Sequence, residues 1–538
     1  MKNLIPLFIA KKLAERKQNG EFHGFSIFFD ISGFTAMTVK LMKEGKAGAE
    51  IISNILDDIF SPIVDLIHSN NGFVASFIGD AINAIFIDDK KENLDKGIFS
   101  KSVDTGNYLP ISVIKSLSGI INIVKNKRIQ KTKYGDFKLS IKIGVSYGKI
   151  KWGIAGTENH KAYYFMGEAI DKSIQNEKKC KKMQIVTDDT TLQYFSNIVQ
   201  IHNIKDKNFI DKKFYIIDKL IDDKLKVQNK NSEPTDIFLT YNLLKIFFPD
   251  EIIKFNYKGE YREIVSIFIS IKKEDNFEQI DKIIKIIISK CDDFQGYFNK
   301  VDFTDKGFTI IIFFGFPITY EDNLKRSLNF ILSIKKILKQ NIKAGITLGI
   351  AFSGILGNST RCEYTCLGNI VNLSARMMTK AKYGKIWITK IIANKIKNDF
   401  IIEDKGYRKF KGIKEKINIF ELKDEKRTVE ISDSRFLIPM VGREIEFDKI
   451  IKYIQDIGNN KNSKLLYIYG DAGIGKSRLI YEAIKSHENI FNFFNLQTDS
   501  IIKGSLYPFA DFLKKYFMQD TAKSEKQNKE NFEKIYDK

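Results

Sequence analysis

The sequence predicts a mixed α+β/α/β chain: two tandem β-α-β-β-α-β units followed by part of a third, α/β unit. Three observations carry this. A ladder of five glycines, Gly144, Gly148, Gly153, Gly156 and Gly167, returns as Gly345, Gly349, Gly354, Gly357 and Gly368 at a constant offset of 201, the signature of a duplicated unit. Apolar runs of strand character alternate with segments of helical period, as layered α and β structure requires. The 538 residues, at roughly 150 residues per domain, leave room for three or four domains, and 43% apolar content fills a core in each.

In chain order, residues 1–21 read as a leading amphipathic helix: a short apolar patch turns basic by Lys17, with no small-residue cleavage site of the secretory kind. Phe25–Phe29 is an apolar strand feeding Asp30. Ala47–Ser69 is apolar at helical spacing, and Gly72–Ile78 with Ala81–Ile87 is a hairpin-like pair. A helix and the strand Leu139–Val145 complete the unit. This order is the ferredoxin-like arrangement, a sheet on one helical layer. In the second copy Val265–Ile269 and Ser270 stand where the first has Phe25–Phe29 and Asp30, at an offset of 240, so insertions separate the copies. The boundaries drawn are 22–220 for the first unit, a linker at 221–259 that is polar around Gln228–Asp236, 260–422 for the second unit, a linker at 423–438, and a third region at 439–538.

Composition narrows the function classes. Lys and Arg number 87 against 66 Asp and Glu, a net charge of +21. The lysines are spread among Ile, Asn and Phe instead of forming a stripe, so they read as solvated surface and no nucleic-acid partner is expected. The four cysteines, Cys180, Cys291, Cys362 and Cys366, form no CxxC pair, which argues for a reducing, cytoplasmic setting and against a disulfide scaffold or zinc site. Five histidines, His23, His68, His160, His202 and His487, show no ligand spacing. The longest apolar run, Gly307–Ile318, contains Pro317 and is far short of the ~20 residues a membrane helix needs; it reads as a buried strand.

Two carboxylates stand out in the first copy. Asp30 leaves a strand beside a turn in which Gly33 allows close backbone approach, and Asp80 sits in the Ile78-Gly79-Asp80-Ala81 turn between two apolar strands. Either alone is an ordinary turn residue. Together at one sheet edge they are the hard oxygen ligands that Mg²⁺ takes beside phosphate.

Phe28-Phe29-Asp30-Ile31-Ser32-Gly33-Phe34-Thr35 and Gly79-Asp80-Ala81 resemble the F-x-D-I-x-G-F-T and G-D-x motifs of the class III nucleotidyl cyclases, a resemblance that extends over both repeats, about Phe22 to Leu422. In tandem members the first domain supplies both metal aspartates and the second supplies base, ribose and transition-state contacts. The implied site is a single one in an intramolecular pseudo-dimer, and a monomer is expected. The resemblance implies Asp30, Ile31 and Asp80 at two Mg²⁺ (or Mn²⁺), and Ile31, Ser32, Gly33, Phe34 and Thr35 against the substrate, ATP.

The second copy has Ser270 in place of Asp30 and cannot repeat the metal site. It carries Phe298-Asn299-Lys300, Glu363-Tyr364-Thr365-Cys366-Leu367-Gly368 and Val371-Asn372-Leu373-Ser374-Ala375-Arg376, which match the family's second-domain motifs. By the offset of 201, Asn372 corresponds to Asp171 and Arg376 to Gln175, so the losses are complementary. Cyclisation needs the 3′-hydroxyl activated and the transition-state charge neutralised. A guanidinium fork suits the second task, which falls to Arg376. Asn372, one helical turn earlier, shares its face and can orient the ribose. The resemblance places Lys300 and Thr365 at the base, where Lys and Thr favour adenine and Glu with Cys would favour guanine.

These features resemble the soluble, bicarbonate-responsive adenylyl cyclases, with one departure. The lysine and arginine that bind bicarbonate in mammalian members are replaced: Ser76 holds the first position, and residues 171–176 contain no arginine.

In the third region Leu465–Tyr469 reads as a buried strand, followed by Gly470-Asp471-Ala472-Gly473-Ile474-Gly475-Lys476-Ser477 and an amphipathic helix through Ile484. This is the P-loop pattern in its strand-to-helix context. Loop amides and Lys476 would hold phosphates of a second nucleotide and Ser477 would ligate Mg²⁺. Val441-Gly442-Arg443-Glu444 resembles the entry segment of signalling ATPases fused to such cyclases. No apolar strand ending in an acidic residue follows Ser477, so the NTPase domain is expected to be partial and hydrolysis is not expected there. Two alternatives remain: an inactive nucleotide-binding regulator, and a guanylyl cyclase.

Overall fold

The computed structural model describes residues 3–88, 108–195, 198–204, 214–220, 240–254, 259–272, 274–304, 307–410, 413, 415–426, 440–458, 465–470, 474–487, 494, 496, 506–517, 519 and 525–536. The polar stretch 228–236, most of 423–438 and Gly473 lie outside them. The chain divides into two units, Met1–Glu425 and Lys426–Lys538.

The first unit holds both repeats. The first runs β1 (Asn19–Ser32), helix Gly45–Ser69, β2 (Phe73–Ile78), β3 (Ala81–Ile87), helix Tyr108–Asn126, a small hairpin of β4 (Ile129–Thr132) and β5 (Gly135–Lys138), β6 (Ser140–Gly156), β7 (Lys161–Met166), helix Glu168–Lys179, β8 (Gln184–Asp188), β9 (Val199–Ile204) and β10 (Phe214–Leu220). The second runs β11 (Gly259–Ile271), helix Phe277–Asp293, β12 (Tyr297–Thr304), β13 (Gly307–Phe314), helix Asn323–Leu338, β14 (Ile342–Gly357), β15 (Cys362–Leu367), helix Asn369–Lys380, β16 (Ile386–Thr389), β17 (Phe400–Arg408) and β18 (Ile417–Glu425). The two main sheets have the same order, β2-β3-β1-β6-β8-β10-β9 and β12-β13-β11-β14-β16-β18-β17, with β7 and β15 each paired to the far half of the long strand. Asp30 lies opposite Lys142 and Ser270 opposite Lys343, so the two residues occupy one position in their repeats.

The glycine ladder follows from close packing. A Cβ at Gly144 would lie 2.0 Å from the Ser173 carbonyl oxygen, and one at Gly345 2.3 Å from that of Ser374. Only a bare backbone lets the helices Glu168–Lys179 and Asn369–Lys380 rest on β6 and β14 this closely.

Several elements differ from the sequence reading. β1 starts at Asn19, within the expected leader, whose helix is Leu7–Ala14. β6 and β14, at 17 and 16 residues, far exceed the expected strand, because their outer halves pack on the other repeat. Residues 240–254, inside the expected linker, form two short helices, Tyr241–Lys245 and Asp250–Ile253, that bury Leu244, Phe247, Phe248 and Ile252 in a core shared with Leu4, Ile5, Trp152, Phe313 and Tyr364. Among the described residues no helix is long and apolar enough to cross a membrane. All four cysteines are buried and free.

In the second unit the helix Glu444–Gly458 packs on Lys476–Lys485 through Ile450, Leu479 and Ala483. The strand expected at Leu465–Tyr469 does not form: Leu465 is 94% and Tyr469 80% exposed. A strand exists only by pairing, and among the described residues none pairs with it.

Gly345→Ala should destabilise the chain by about 1–3 kcal/mol through overpacking, read as a lower urea midpoint with unchanged slope; an unaltered midpoint would mean that the helix does not rest on β14 as described.

Candidate active site

Asp30 ends the apolar core of β1 and lies opposite Ala81 of β3, which brings it next to Asp80 in the β2–β3 turn. Gly79 holds that turn at a positive φ of 68°, and the Ile31 amide donates to the Asp80 carbonyl at 3.1 Å. Gly33, at φ 113°, turns the chain into the helix Phe34–Met42; Phe34 itself is buried.

The second repeat contributes the facing wall. Phe34, Thr38, Gly79 and Asp80 line one cleft with Cys366, Leu367, Gly368, Val371 and Asn372. Arg376, one turn after Asn372, buries its Nη1 with no hydrogen-bond partner among the described residues. Burial, reinforced by the Asp30 charge, pushes the Asp80 carboxyl up to about 7, and the Arg376 guanidinium pulls it back only partly. Two carboxylates from one repeat and one guanidinium from the other thus share a single electrostatic site. The cleft holds about 20 Å³, against ~300–1,000 Å³ for small-molecule sites, so in this arrangement it has no room for a nucleotide-sized molecule.

Thr365 precedes Cys366 of this cleft on β15, whereas Lys300, on β12, lines a separate cavity with Ser76, Asn299 and Glu363. Far from being solvated, Lys300 is 9% exposed, and its ammonium donates to Glu363 and to the Phe77 carbonyl of the first repeat. Burial lowers its pKa to about 8, Asp302 raising it and Arg361 lowering it further. Arg361 is tied to Val74 O at 3.3 Å, Leu4 O at 2.9 Å and the Tyr163 hydroxyl at 2.7 Å, with Glu363 3.6 Å away. Thr365 is buried and donates to Asn299 Oδ1 at 3.1 Å. Neither Glu363 nor Asn299 was assigned a role from sequence; their adjacency to Thr365 and Lys300 in the quoted motifs was the only signal.

Ser270 is buried and lies with its hydroxyl 3.4 Å from the Tyr383 hydroxyl. In the second unit Gly475 is left-handed at the start of the helix Lys476–Lys485, Lys476 donates to the Gly470 carbonyl at 2.8 Å, and Ser477 follows on the first turn.

The fold and the two-repeat site define a class: residues 257–424, from the start of β11 into β18, match the adenylate and guanylate cyclase catalytic domain. The chain carries a class III cyclase catalytic domain. Among particular proteins, it is similar to adenylate cyclase type 10 of Rattus norvegicus, 24% identical over 519 residues, and to that of Homo sapiens, 25% over 517 residues. Both matches cover 87% of this chain and 31% of the relative, so the chain spans about a third of their length. The crystal structure of the adenylyl cyclase CyaB from P. aeruginosa aligns at 22% identity, covering 32% of this chain and 99% of that one, with a TM-score of 0.29.

Because its folded pKa lies above the unfolded value of 3.8, Asp80 holds a proton in the folded chain that the unfolded chain has lost. Its contribution to stability is therefore present at low pH and lost as pH rises toward 7. In EDTA at pH 8, Asp80→Asn should melt a few degrees above the unaltered chain, and the gap should narrow through pH 5 and close below the unfolded value of 3.8. A gap independent of pH would refute the buried, mutually repelling pair.

Proposed function

We propose that this chain is an adenylyl cyclase that converts ATP to 3′,5′-cyclic AMP and pyrophosphate at one site between its repeats, in intracellular signalling. The observation that carries the reading is the convergence of Asp30 and Asp80 of the first repeat with Arg376 of the second.

A divalent pair fits this site. Burial raises the Asp80 carboxyl and the Asp30 charge raises it further, a condition that a cation would relieve. Among the described residues no group of three or more His, Cys, Asp or Glu could hold a metal ion by itself; Mg²⁺ here would complete its shell with substrate phosphates and water. Asp30 and Asp80, with Ile31 beside them, would hold two Mg²⁺ or Mn²⁺, which supply Lewis-acid activation of the 3′-hydroxyl and charge neutralisation at the phosphates.

The chain's own residues do the rest. Amides at the start of the helix Phe34–Met42, after Ile31, Ser32 and Gly33 and running into Thr35, receive the phosphates. Asn372 orients the ribose so that its 3′-oxygen lies in line with the α-phosphorus. As the 3′-oxygen–phosphorus bond forms, the hydroxyl proton leaves to solvent and the bond to the bridging oxygen breaks, releasing pyrophosphate. Arg376, whose Nη1 lacks a partner, meets the charge that builds on the phosphoryl oxygens. Lys300 and Thr365 read the adenine.

The position matching Lys300 in the first repeat is Ser76: each follows a one-residue bulge, at Val74/Ser76 in β2 and Phe298/Lys300 in β12. The Ser76 position itself offers no lysine to a bicarbonate anion, and insensitivity to bicarbonate is expected. The second unit is proposed to hold a further nucleotide through Gly470, Gly473, Gly475, Lys476 and Ser477. A cytoplasmic monomer is the expected form.

Purified chain given ATP or GTP with Mg²⁺ or Mn²⁺ should make cyclic AMP, equally with and without bicarbonate. Asp30→Ala, Asp80→Ala and Arg376→Ala should each lower turnover at least about 10²-fold, the scale of losing one transition-state contact. No cyclic nucleotide from a folded chain would sink the reading. A switch toward GTP needs three changes: Lys300→Glu alone would set two carboxylates together, so Lys300→Glu and Thr365→Cys are combined with Glu363→Gln. That triple variant should favour GTP in kcat/KM.

A further inference from the structure

A threonine hydroxyl both donates and accepts, so Thr365 by itself does not tell a purine 6-amino group from a 6-oxo group. What decides is the atom that takes the hydroxyl proton. The Tyr364 carbonyl can only accept, and it receives Asn299 Nδ2 at 2.9 Å and the Tyr297 hydroxyl at 3.3 Å. The orientation of the Asn299 amide is fixed by that bond, so Oδ1 is the atom turned to Thr365. Thr365 Oγ1 donates its one proton to that oxygen at 3.1 Å, in a residue only 4% exposed. Its remaining capacity is two lone pairs.

We propose that Asn299 is the positioning residue that sets base specificity: by taking the Thr365 proton it leaves a pure acceptor, which pairs with the 6-amino group of adenine and repels the 6-oxo group of guanine or hypoxanthine. This rests on the adenylyl cyclase reading above. The bulge in β12 places it. With an extra residue between Phe298 and Lys300, side-chain alternation is broken, and the consecutive Asn299 and Lys300 both reach β15, one at Tyr364 and Thr365, the other at Glu363. The first repeat has the same bulge in β2, but Ala75 stands in place of Asn299 and Tyr164 in place of Thr365. The amide–hydroxyl pair thus belongs to the one copy proposed to hold the base.

The test compares ATP with inosine triphosphate, which carries the 6-oxo group, in full-length chains that also carry Lys476→Ala to silence the second nucleotide motif. Displacement of a fluorescent ATP analogue and cyclic product are measured for the chain with Asn299 intact and for Asn299→Ala and Asn299→Asp. With Asn299 intact, ATP should be preferred. In Asn299→Ala the freed hydroxyl turns its proton to the 6-oxo oxygen, and the preference should fall about tenfold, the worth of one reversed hydrogen bond. In Asn299→Asp the carboxylate still accepts from Thr365, and the preference should stay within about threefold of the starting value. Should Asn299→Ala not fold, Asn299→Ser, whose hydroxyl can donate as well as accept, should also loosen the preference.

A merely structural role would weaken both nucleotides together and leave the ratio unchanged, which overturns the inference even if ATP is still cyclised. No initial preference for ATP would overturn it too. Loss of the binding preference in a chain that makes no cyclic product would uphold the inference and overturn the cyclase reading instead.

Discussion

Neither repeat completes its own core, and the rest of the structure depends on that. Phe352, Leu356 and Leu367 of the second repeat are buried in the core of the first, while Ala155, Ala162, Tyr164 and Met166 of the first are buried in the core of the second. The β6–β7 and β14–β15 hairpins are reciprocal arms, and each is fastened at its tip. The Gly156 amide donates to Asp281 at 3.2 Å and His160 pairs with Asp292 at 2.8 Å. On the other side Asn358 reaches Asp65 at 2.7 Å and Thr360 reaches it at 3.1 Å. Each large apolar side chain moved from water is worth about 1.5–3 kcal/mol, so the pair of repeats behaves as one folding unit. Widening of the cleft for a nucleotide is then a shift within a packed unit, and dissociation of the repeats is excluded by the cores they share.

Exchange of arms frees the two copies to diverge where the sites lie. Topology, bulges and the close helix–strand approach at Gly144 and Gly345 are kept. Asp30 against Ser270, Ser76 against Lys300, Tyr164 against Thr365 and Gln175 against Arg376 are not. Between the two possible sites runs a buried charge cluster, Lys300, Glu363, Arg361 and Asp302, whose hydrogen bonds end on Phe77, Val74, Leu4 and Tyr163 of the first repeat and its leader. Buried ion pairs add little net stability but penalise any pairing that leaves a charge alone, so the cluster fixes the register of one repeat on the other.

Much of this was legible in the sequence, for identifiable reasons. Gly144 and Gly345 recur because a close approach tolerates nothing else, and the helix Gly45–Ser69 and the strands flanking Asp80 declare their period. The long strands were underread because their outer halves answer to the other repeat's core, which local periodicity does not contain. Residues 240–254 looked like linker because their apolar partners are far away in sequence. Leu465–Tyr469 looked like a strand because composition cannot supply the neighbour that a strand needs. The surroundings of Lys300 had no local sign: its partners, Phe77 and Glu363, lie 223 and 63 residues away.

That burial also sharpens what base reading by Lys300 would require. Its ammonium has three protons, and two bonds, to Glu363 and the Phe77 carbonyl, are already made. One proton remains for a ring nitrogen, and its direction is set by the other two, so the lysine is a fixed donor and not a mobile charge. Glu363 also accepts the Phe77 amide at 3.3 Å, which locks the donor to the strand that carries Asp80 three residues on. The proposed base contact and the proposed metal ligand would therefore be linked through β2 and the turn that follows it, and a change in how the repeats meet would move both together. Under the proposed reading, an acceptor at Thr365 and a donor at Lys300 would complement adenine's amino group and ring nitrogen, with both residues buried.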